Sequence, residues 1–386
     1  MEEEVILLRY GEIFLKGKNF GFFERTLIKN IKAAIKDYDA VLKKTSGRLF
    51  VENYKLKDRQ NLIEVLTKVF GLVSLSVASK VPSDKEKIEK IIGRIKIKTQ
   101  TFKVETNRAD KEFPVQSFTF SADMGSVILN NNPNVRVDVH EPQTTVSIDI
   151  REDKFTYIYY EKIPCAGGLP VGCSGKTLLL LSGGIDSPVA GFLMAKRGLS
   201  VDAIHFESFP YTSEQAKQKV ITLAKLLTQY VGPINLYIVP FTKIQENIVK
   251  HCDKEYLITI VRRFMFDIAE RLAKNAGAKC LTTGENLGQV ASQTVEGITT
   301  SNAAVKTMPV FRPLIGFDKT EIIEKAKKIG TYQTSILPYE DCCSVFLPDS
   351  PVTKPKLSRV KFNENFLDKE NLTSEAISGT ERLTIS

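Results

Sequence analysis

The apolar run Thr177–Leu181 passes directly into Ser182-Gly183-Gly184-Ile185-Asp186-Ser187, and Pro188 then opens a helical stretch, PVAGFLMAKRG. Strand, tight glycine loop and helix start, in this order, predict a phosphate site. Adjacent glycines let backbone N–H groups turn inward, serine hydroxyls add donors, and the positive end of the helix dipole faces the anion. Proline in the first helical turn sacrifices no hydrogen bond. Asp186 is the odd member. A carboxylate beside polyphosphate is repulsive unless a divalent cation lies between them, so Asp186 implies either Mg²⁺ bridging or a structural role in holding the loop. Gly175-Lys176-Thr177 resembles the end of a Walker loop, but position 170 is Pro where that motif needs glycine, and the tripeptide precedes the strand.

After this loop, strands and helices alternate: strand 200–206, helix 213–229, strand 234–240, helices 241–251 and 255–276, strand 279–283 and helix 318–329. Such alternation predicts a parallel, doubly wound α/β sheet over 177–386. The tail from about 351 is polar, lacks a clear period and is expected to be loosely ordered. Before the loop, strands at 4–9 and 40–52 flank a helix at 19–36, a small α+β unit over 1–56. A second α+β unit with its own core is expected over 57–164, with helices near 58–70, 83–96 and 114–129 and strands at 72–78, 101–106, 135–139, 144–150 and 154–160. The Gly- and Pro-rich stretch IPCAGGLPVGCSGK, at 163–176, has little to pack, and 165–176 reads as the linker.

Lys and Arg total 54 against 45 Asp and Glu, a net charge of +9. The excess is concentrated early. Between Lys80 and Lys111 ten basic residues face five acidic ones, and Lys16, Lys18, Lys43, Lys44 and Arg48 sit in or near turns. A cationic N-terminal half suits a polyanionic partner. Aliphatic runs such as Leu178–Leu181 fall far short of the ~20 residues of a membrane span, and the acidic N-terminus MEEE is unlike a signal peptide. A cytoplasmic protein with no membrane partner is expected. Six cysteines without regular spacing read as thiols, not as a disulfide framework. There is no C-x-x-C, and the three histidines (His140, His205, His251) have no zinc spacing, so neither zinc nor an iron–sulfur cluster is expected.

SGGIDSPVA is similar to the pyrophosphatase loop of the PP-loop ATPases, which split ATP between the α and β phosphates and adenylate a carbonyl-type oxygen. FKVETNRADKEFP (102–114), followed by IPCAGGLPVGCSGKTLLLL, resembles a THUMP RNA-binding domain running into the catalytic domain of the tRNA 4-thiouridine synthetases, or tRNA sulfurtransferases. RYGEIFLKGKN (9–19) resembles that family's N-terminal ferredoxin-like domain. TGENLGQVASQT (283–294), RPLIGFDKTEI (312–322) and DCCSVF (341–346) also match, so the likeness spans about 9–355.

The resemblance implies a fold, an activity and a set of residues. The fold is a ferredoxin-like domain and a THUMP domain, both α+β, followed by a PP-loop domain. The activity adenylates the 4-carbonyl of uridine at tRNA position 8 with ATP and Mg²⁺ and replaces the oxygen with sulfur from a cysteine persulfide. His205 and Phe206, closing the strand next to the loop, are placed to meet the adenine. Backbone contacts are implied at Leu180 and Leu181, and further nucleotide contacts at Ser182, Gly183, Gly184, Asp186, Ser187, Arg262, Gly284 and Gln293. Arg262 and its neighbour Arg263 also read as helix-surface cations. The family pattern, a cysteine followed by a small residue and Val, selects Cys343 over Cys342 as the sulfur-bearing nucleophile, whereas Cys165, Cys173, Cys252 and Cys280 read as inert.

Partners follow from the same likeness: the tRNA acceptor stem, a cysteine desulfurase as sulfur donor and a second copy in a homodimer. Lys16, Lys18, Arg108 and Lys111 are the candidate RNA contacts. Many family members carry a C-terminal rhodanese domain with a second cysteine, for which this sequence has no residues left. Sulfur is then expected to pass straight to Cys343, with Cys342 or an external reductant completing the cycle, and the family's link to thiamine synthesis is correspondingly weak. Two other classes remain: a PP-loop ligase that adenylates a carboxyl or amide and adds ammonia, and a nonenzymatic RNA-binding protein with a relic nucleotide site. Neither accounts for both the basic half and the Cys342-Cys343 pair.

Overall fold

The computed structural model describes residues 2–45, 47–339, 342, 345–346, 348 and 350–386, and the chain forms two compact units, 1–168 and 169–386. In the first unit the elements are β1 (Glu3–Tyr10), α1 (Phe20–Ala34), β2 (Val41–Thr45), β3 (Arg48–Glu52), α2 (Arg59–Thr67), β4 (Leu72–Pro82), α3 (Lys85–Ile92), β5 (Thr101–Arg108), α4 (Ser117–Asn131), β6 (Arg136–Val137), β7 (Thr144–Ile150), β8 (Phe155–Tyr159) and β9 (Ile163–Pro164). They build one nine-stranded sheet in the order β2-β3-β1-β4-β8-β7-β5-β6, with β9 beside β4.

Two helix-covered cores lie on this one sheet. Leu27 and Ile31 of α1 pack on Ile6 and Leu8, while Ile88 and Ile92 of α3 join Phe120 and Met124 of α4 over Phe102 and Ile148. The expected division at 56/57 does not separate the cores. Leu62, Ile63 and Leu66 of α2, with Leu72 and Leu75 of β4, belong to the first core. The reason is pairing: β4 is antiparallel to β1 from Glu3↔Lys80 to Leu8↔Leu75, so its first half completes the sheet of the N-terminal segment. A strand shared by two cores shows no break in its sequence.

The second unit contains β10 (Lys176–Leu180), α5 (Asp186–Lys196), β11 (Ser200–Glu207), α6 (Glu214–Val231), β12 (Ile234–Pro240), α7 (Thr242–His251), α8 (Leu257–Asn275), β13 (Cys280–Thr282), α9 (Val295–Asn302), β14 (Val310–Phe311), α10 (Lys319–Lys328), α11 (Tyr332–Ser335), α12 (Leu357–Glu364), α13 (Lys369–Ser378) and β15 (Glu381–Ile385). The sheet order is β14-β13-β10-β11-β12-β15, parallel throughout except for β15, which runs antiparallel to β12. Local signals set the helix starts. Ser213 caps α6 through the Ala216 N–H, and Asp318 and Glu321 form a reciprocal capping box on α10.

The expected loose tail is instead structured. Val360, Leu372 and Ala376 sink into the core beside α8, and Ile385 pairs with Ile234 on the outer edge of the sheet. Charge as well as apolar surface holds it. Arg263, 3% exposed on α8, makes a bidentate pair with Glu364 at 2.7 and 3.0 Å. Arg271 does the same with Glu370 at 2.6 and 2.7 Å. These partners are about a hundred residues apart, so the polar composition that argued for disorder was the docking surface.

Candidate active site

The connection after β10 goes outward through β11 and β12, and the chain then returns to β13 on the other flank of β10. Neighbouring strands therefore send their following loops in opposite directions, which opens a crevice at the carboxyl ends of β10 and β13. A cavity of about 310 Å³ occupies that place. Its apolar wall includes Leu180, Ile204, Phe206, Leu257, Val261 and Met265, and its polar side carries Ser182, Asp186, Ser187, Arg262, Glu285 and Gln293. A flat heterocycle suits the first wall and phosphates the second.

Of the nucleotide candidates, Leu180, Leu181, Ser182, Asp186, Ser187, His205, Phe206, Arg262, Gly284 and Gln293 line this cavity. Gly183 and Gly184 belong to the same loop. The loop is tied by its two serines: the Ser182 N–H donates to Ser187 Oγ at 2.9 Å, and the Gly184 N–H donates to Ser182 Oγ at 3.3 Å. From outside, Ser335 of α11 donates its hydroxyl to the Gly184 carbonyl at 3.3 Å. His205 is buried, with Nδ1 3.1 Å from the Leu181 carbonyl. Gly284 has a steric role: a Cβ there would lie 2.7 Å from Ser187 N and 2.8 Å from the Asp186 carbonyl carbon. Only glycine lets the loop after β13 lie against the start of α5.

Asp186 opens α5, and its carboxylate is held by two residues that sequence reasoning did not single out. Lys319 Nζ lies 2.7 Å from Oδ1, and Gln289 Nε2 donates to Oδ2 at 3.0 Å. Arg262 is not a surface cation: it pairs with the buried carboxylate of Glu285 and donates to Ser292 Oγ at 3.2 Å. Nor is Arg263, which is buried against Glu364 and donates to the Thr300 carbonyl at 2.7 Å. Glu285 also accepts from Arg312 Nε at 2.7 Å and from Thr283 Oγ1 at 2.9 Å. Burial of Arg312 lowers its pKa. Glu285 is thus a hub that sets the Arg262 guanidinium on the cavity wall. Gln289, Glu285 and Lys319 stand within TGENLGQVASQT and RPLIGFDKTEI, segments that carry the family likeness, yet nothing in linear spacing shows that they converge.

The cysteines separate clearly. Cys342 is 5% exposed and lines the cavity, whereas Cys343 lies outside the described residues. Burial pushes the Cys165 thiol up to about 12 and the Cys252 thiol up to about 11, and raises Cys280 as well. Those three are poor nucleophiles. Among the described residues no group of three or more His, Cys, Asp and Glu could hold a metal ion, and no helix is long and apolar enough to cross a membrane.

In the first unit, Lys18 and Lys111 are exposed, and Lys16 Nζ sits 5.1 Å from the centre of the Phe23 ring. Arg108 is half-buried, and its guanidinium donates through Nη1 to the Phe113 carbonyl at 2.8 Å and so orders the loop after β5.

Comparison with known proteins agrees with this arrangement. The family profile described as "Thiamine biosynthesis protein (ThiI)" matches residues 172–368, that of the ThiI ferredoxin-like domain matches 5–76, and that of the THUMP domain matches 83–160. The probable tRNA sulfurtransferase of Acetivibrio thermocellus is 50% identical over 100% of this chain and 99% of its own length. That of Alkaliphilus metalliredigens is 48% identical over 100% and 99%. Among solved structures, a 4-thiouridine synthetase–RNA complex with bound ATP superposes with a TM-score of 0.91 at 38% identity, covering 100% of both chains. With full-length relatives at this identity and a profile match across the cavity-bearing unit, the chain belongs to the ThiI family of tRNA sulfurtransferases.

Proposed function

We propose that this enzyme uses ATP to adenylate the 4-carbonyl oxygen of the uridine at tRNA position 8 and replaces that oxygen with sulfur carried on Cys343, giving 4-thiouridine. The observation that carries it is a single cavity lined by Ser182, Asp186 and Ser187, by an apolar slot at Phe206, and by Cys342, the immediate neighbour of the nucleophile. The serine-tied loop and the start of α5 receive the departing pyrophosphate, and Arg262, aimed by Glu285, faces the phosphates. Uridine O4 attacks the α phosphorus in line and pyrophosphate leaves. The terminal persulfide sulfur then adds to C4, the S–S bond is cleaved by a second thiol, and AMP leaves with the original oxygen. Cys342 or an external thiol supplies those two electrons, and a dithiol reductant resets the resulting disulfide.

Asp186 fits a role toward Mg²⁺. Each of its oxygens accepts one described hydrogen bond, from Lys319 or Gln289, and a carboxylate oxygen retains a further lone pair for a hard cation whose other ligands are phosphate and water. When bound, the ion neutralises polyphosphate charge. The first unit is assigned to the tRNA acceptor stem, with Lys16, Lys18, Arg108 and Lys111 as phosphate contacts, and a tRNA substrate fits a cytoplasmic reaction. A cysteine desulfurase as donor and a homodimer complete the reading.

The test separates the half-reactions. Asp186→Ala abolishes both pyrophosphate release and thiouridine absorbance. Cys343→Ser keeps pyrophosphate release and abolishes thiouridine. Thiolation by Cys343→Ser with Cys342 alone present would overturn the cysteine assignment.

A further inference from the structure

Two buried polar side chains outside the phosphate loop hold one stretch of main chain. Lys219, on α6, is 6% exposed, and its Nζ donates to the Leu337 carbonyl at 2.8 Å and to the Tyr339 carbonyl at 3.4 Å. Gln245, on α7, is 2% exposed; it accepts from the Ser208 hydroxyl and donates through Nε2 to the Cys342 carbonyl at 2.8 Å.

A helix lysine ordinarily lays its stem along the protein and keeps its ammonium in water. Burying the ammonium is unfavourable unless acceptors replace the lost hydration. Here those acceptors include the carbonyls of residues 337 and 339, immediately upstream of the cysteine pair. The Gln245 amide is oriented by Ser208, which follows the strand that carries His205 and Phe206, and it fixes the carbonyl of Cys342 on the cavity wall. Both grips are on backbone oxygens, so they set where the main chain runs without depending on its side chains.

We propose that Lys219 is a positioning residue for sulfur transfer, holding the backbone that delivers the cysteine pair to the nucleotide cavity, with Gln245 as the second anchor. This rests on the assignment of Cys343 as the sulfur-bearing thiol. Lys219 does not line the cavity, so its loss leaves adenylation intact. A segment held at Cys342 alone presents its sulfur too rarely, and water then hydrolyses the adenylated uridine back to uridine and AMP.

The full-length enzyme is assayed with tRNA, ATP, cysteine and a cysteine desulfurase, recording pyrophosphate release and thiouridine formed per AMP. For Lys219→Met, pyrophosphate release is expected within about twofold of the parent while thiouridine per AMP falls at least about tenfold; Lys219→Arg, which keeps charge and donors, restores most of the ratio. An unchanged ratio in Lys219→Met overturns the proposal. So does parallel loss of both activities in a folded protein, which marks a merely structural lysine. If Lys219→Met does not fold, Lys219→Gln keeps a shorter neutral donor and is expected to give an intermediate ratio; parental coupling there overturns the proposal equally. Cys343→Ser is run alongside. If it still thiolates, the cysteine assignment fails and this proposal falls with it; if it is inactive while Lys219→Met stays coupled, Lys219 alone is refuted.

Discussion

Lys319 Nζ stands 2.7 Å from Asp186 Oδ1 although 133 residues separate them, so the start of α10 supplies a cation to the start of α5. The lysine is 43% exposed, and an ion pair that open to water contributes only about 0–1 kcal/mol to stability. Its value is local charge. Lys319→Ala is expected to leave the thermal midpoint nearly unchanged and to slow tRNA-dependent pyrophosphate release by about a hundredfold, the scale of losing one preorganised charge that holds a site carboxylate. Calorimetry beside a pyrophosphate assay checks both halves.

Gly284 gives a steric prediction. A methyl group there meets the backbone of Asp186 and Ser187 below 3 Å, and backbone cannot swing aside as a side chain can. The Gly284→Ala enzyme is expected to bind ATP about tenfold or more weakly, as overpacking of about 1–3 kcal/mol displaces the phosphate loop. Isothermal titration with ATP measures it, and parental affinity would show that the loop tolerates the shift.

The cysteines predict a labelling pattern. With its thiol pushed up to about 12, Cys165 has a thiolate fraction of only about 10⁻⁴ at pH 8. Cys252, at about 11, is little better. Native alkylation at pH 8 followed by mass analysis should find Cys165, Cys252 and Cys280 essentially unmodified. Labelling of Cys165 and Cys252 should climb only as the pH approaches their raised values, because burial disfavours the charged form and more alkaline solution is needed to create it.

Glu364 anchors a segment by charge. Glu364→Ala leaves Arg263 buried without its carboxylate and is expected to lower unfolding free energy by about 3 kcal/mol or more, read from urea denaturation. Replacing both residues by apolar ones of similar volume should cost far less, since no lone charge is then left in the interior.

Legibility in the sequence followed locality. The phosphate loop, the strands flanking it and the position of His205 and Phe206 rest on contiguous signals, a strand, a glycine pair and a helix start, and all are found at the cavity. What was not legible depends on pairs distant along the chain. The partnership of β4 with β1 merged residues 57–75 into the first core, and the Arg263–Glu364 and Arg271–Glu370 pairs ordered a tail whose polar composition resembled disorder. Helix geometry points Arg262 and Arg263 in different directions and leaves both readable as surface cations, whereas one turns to Glu285 at the cavity and the other to Glu364. Periodicity places a side chain on a face; it does not say what waits opposite.

The pairing of β10 with β13, Thr177↔Cys280 through Leu179↔Thr282, joins segments about a hundred residues apart, and only that pairing brings Gly284 onto the serine-tied loop. The first strand and its loop can form early, yet the crevice beside them has no second bank until the intervening helices have settled. Nucleotide affinity therefore belongs to the completed sheet, since β10 and its loop alone supply one bank of the site and β13 with Gly284 the other.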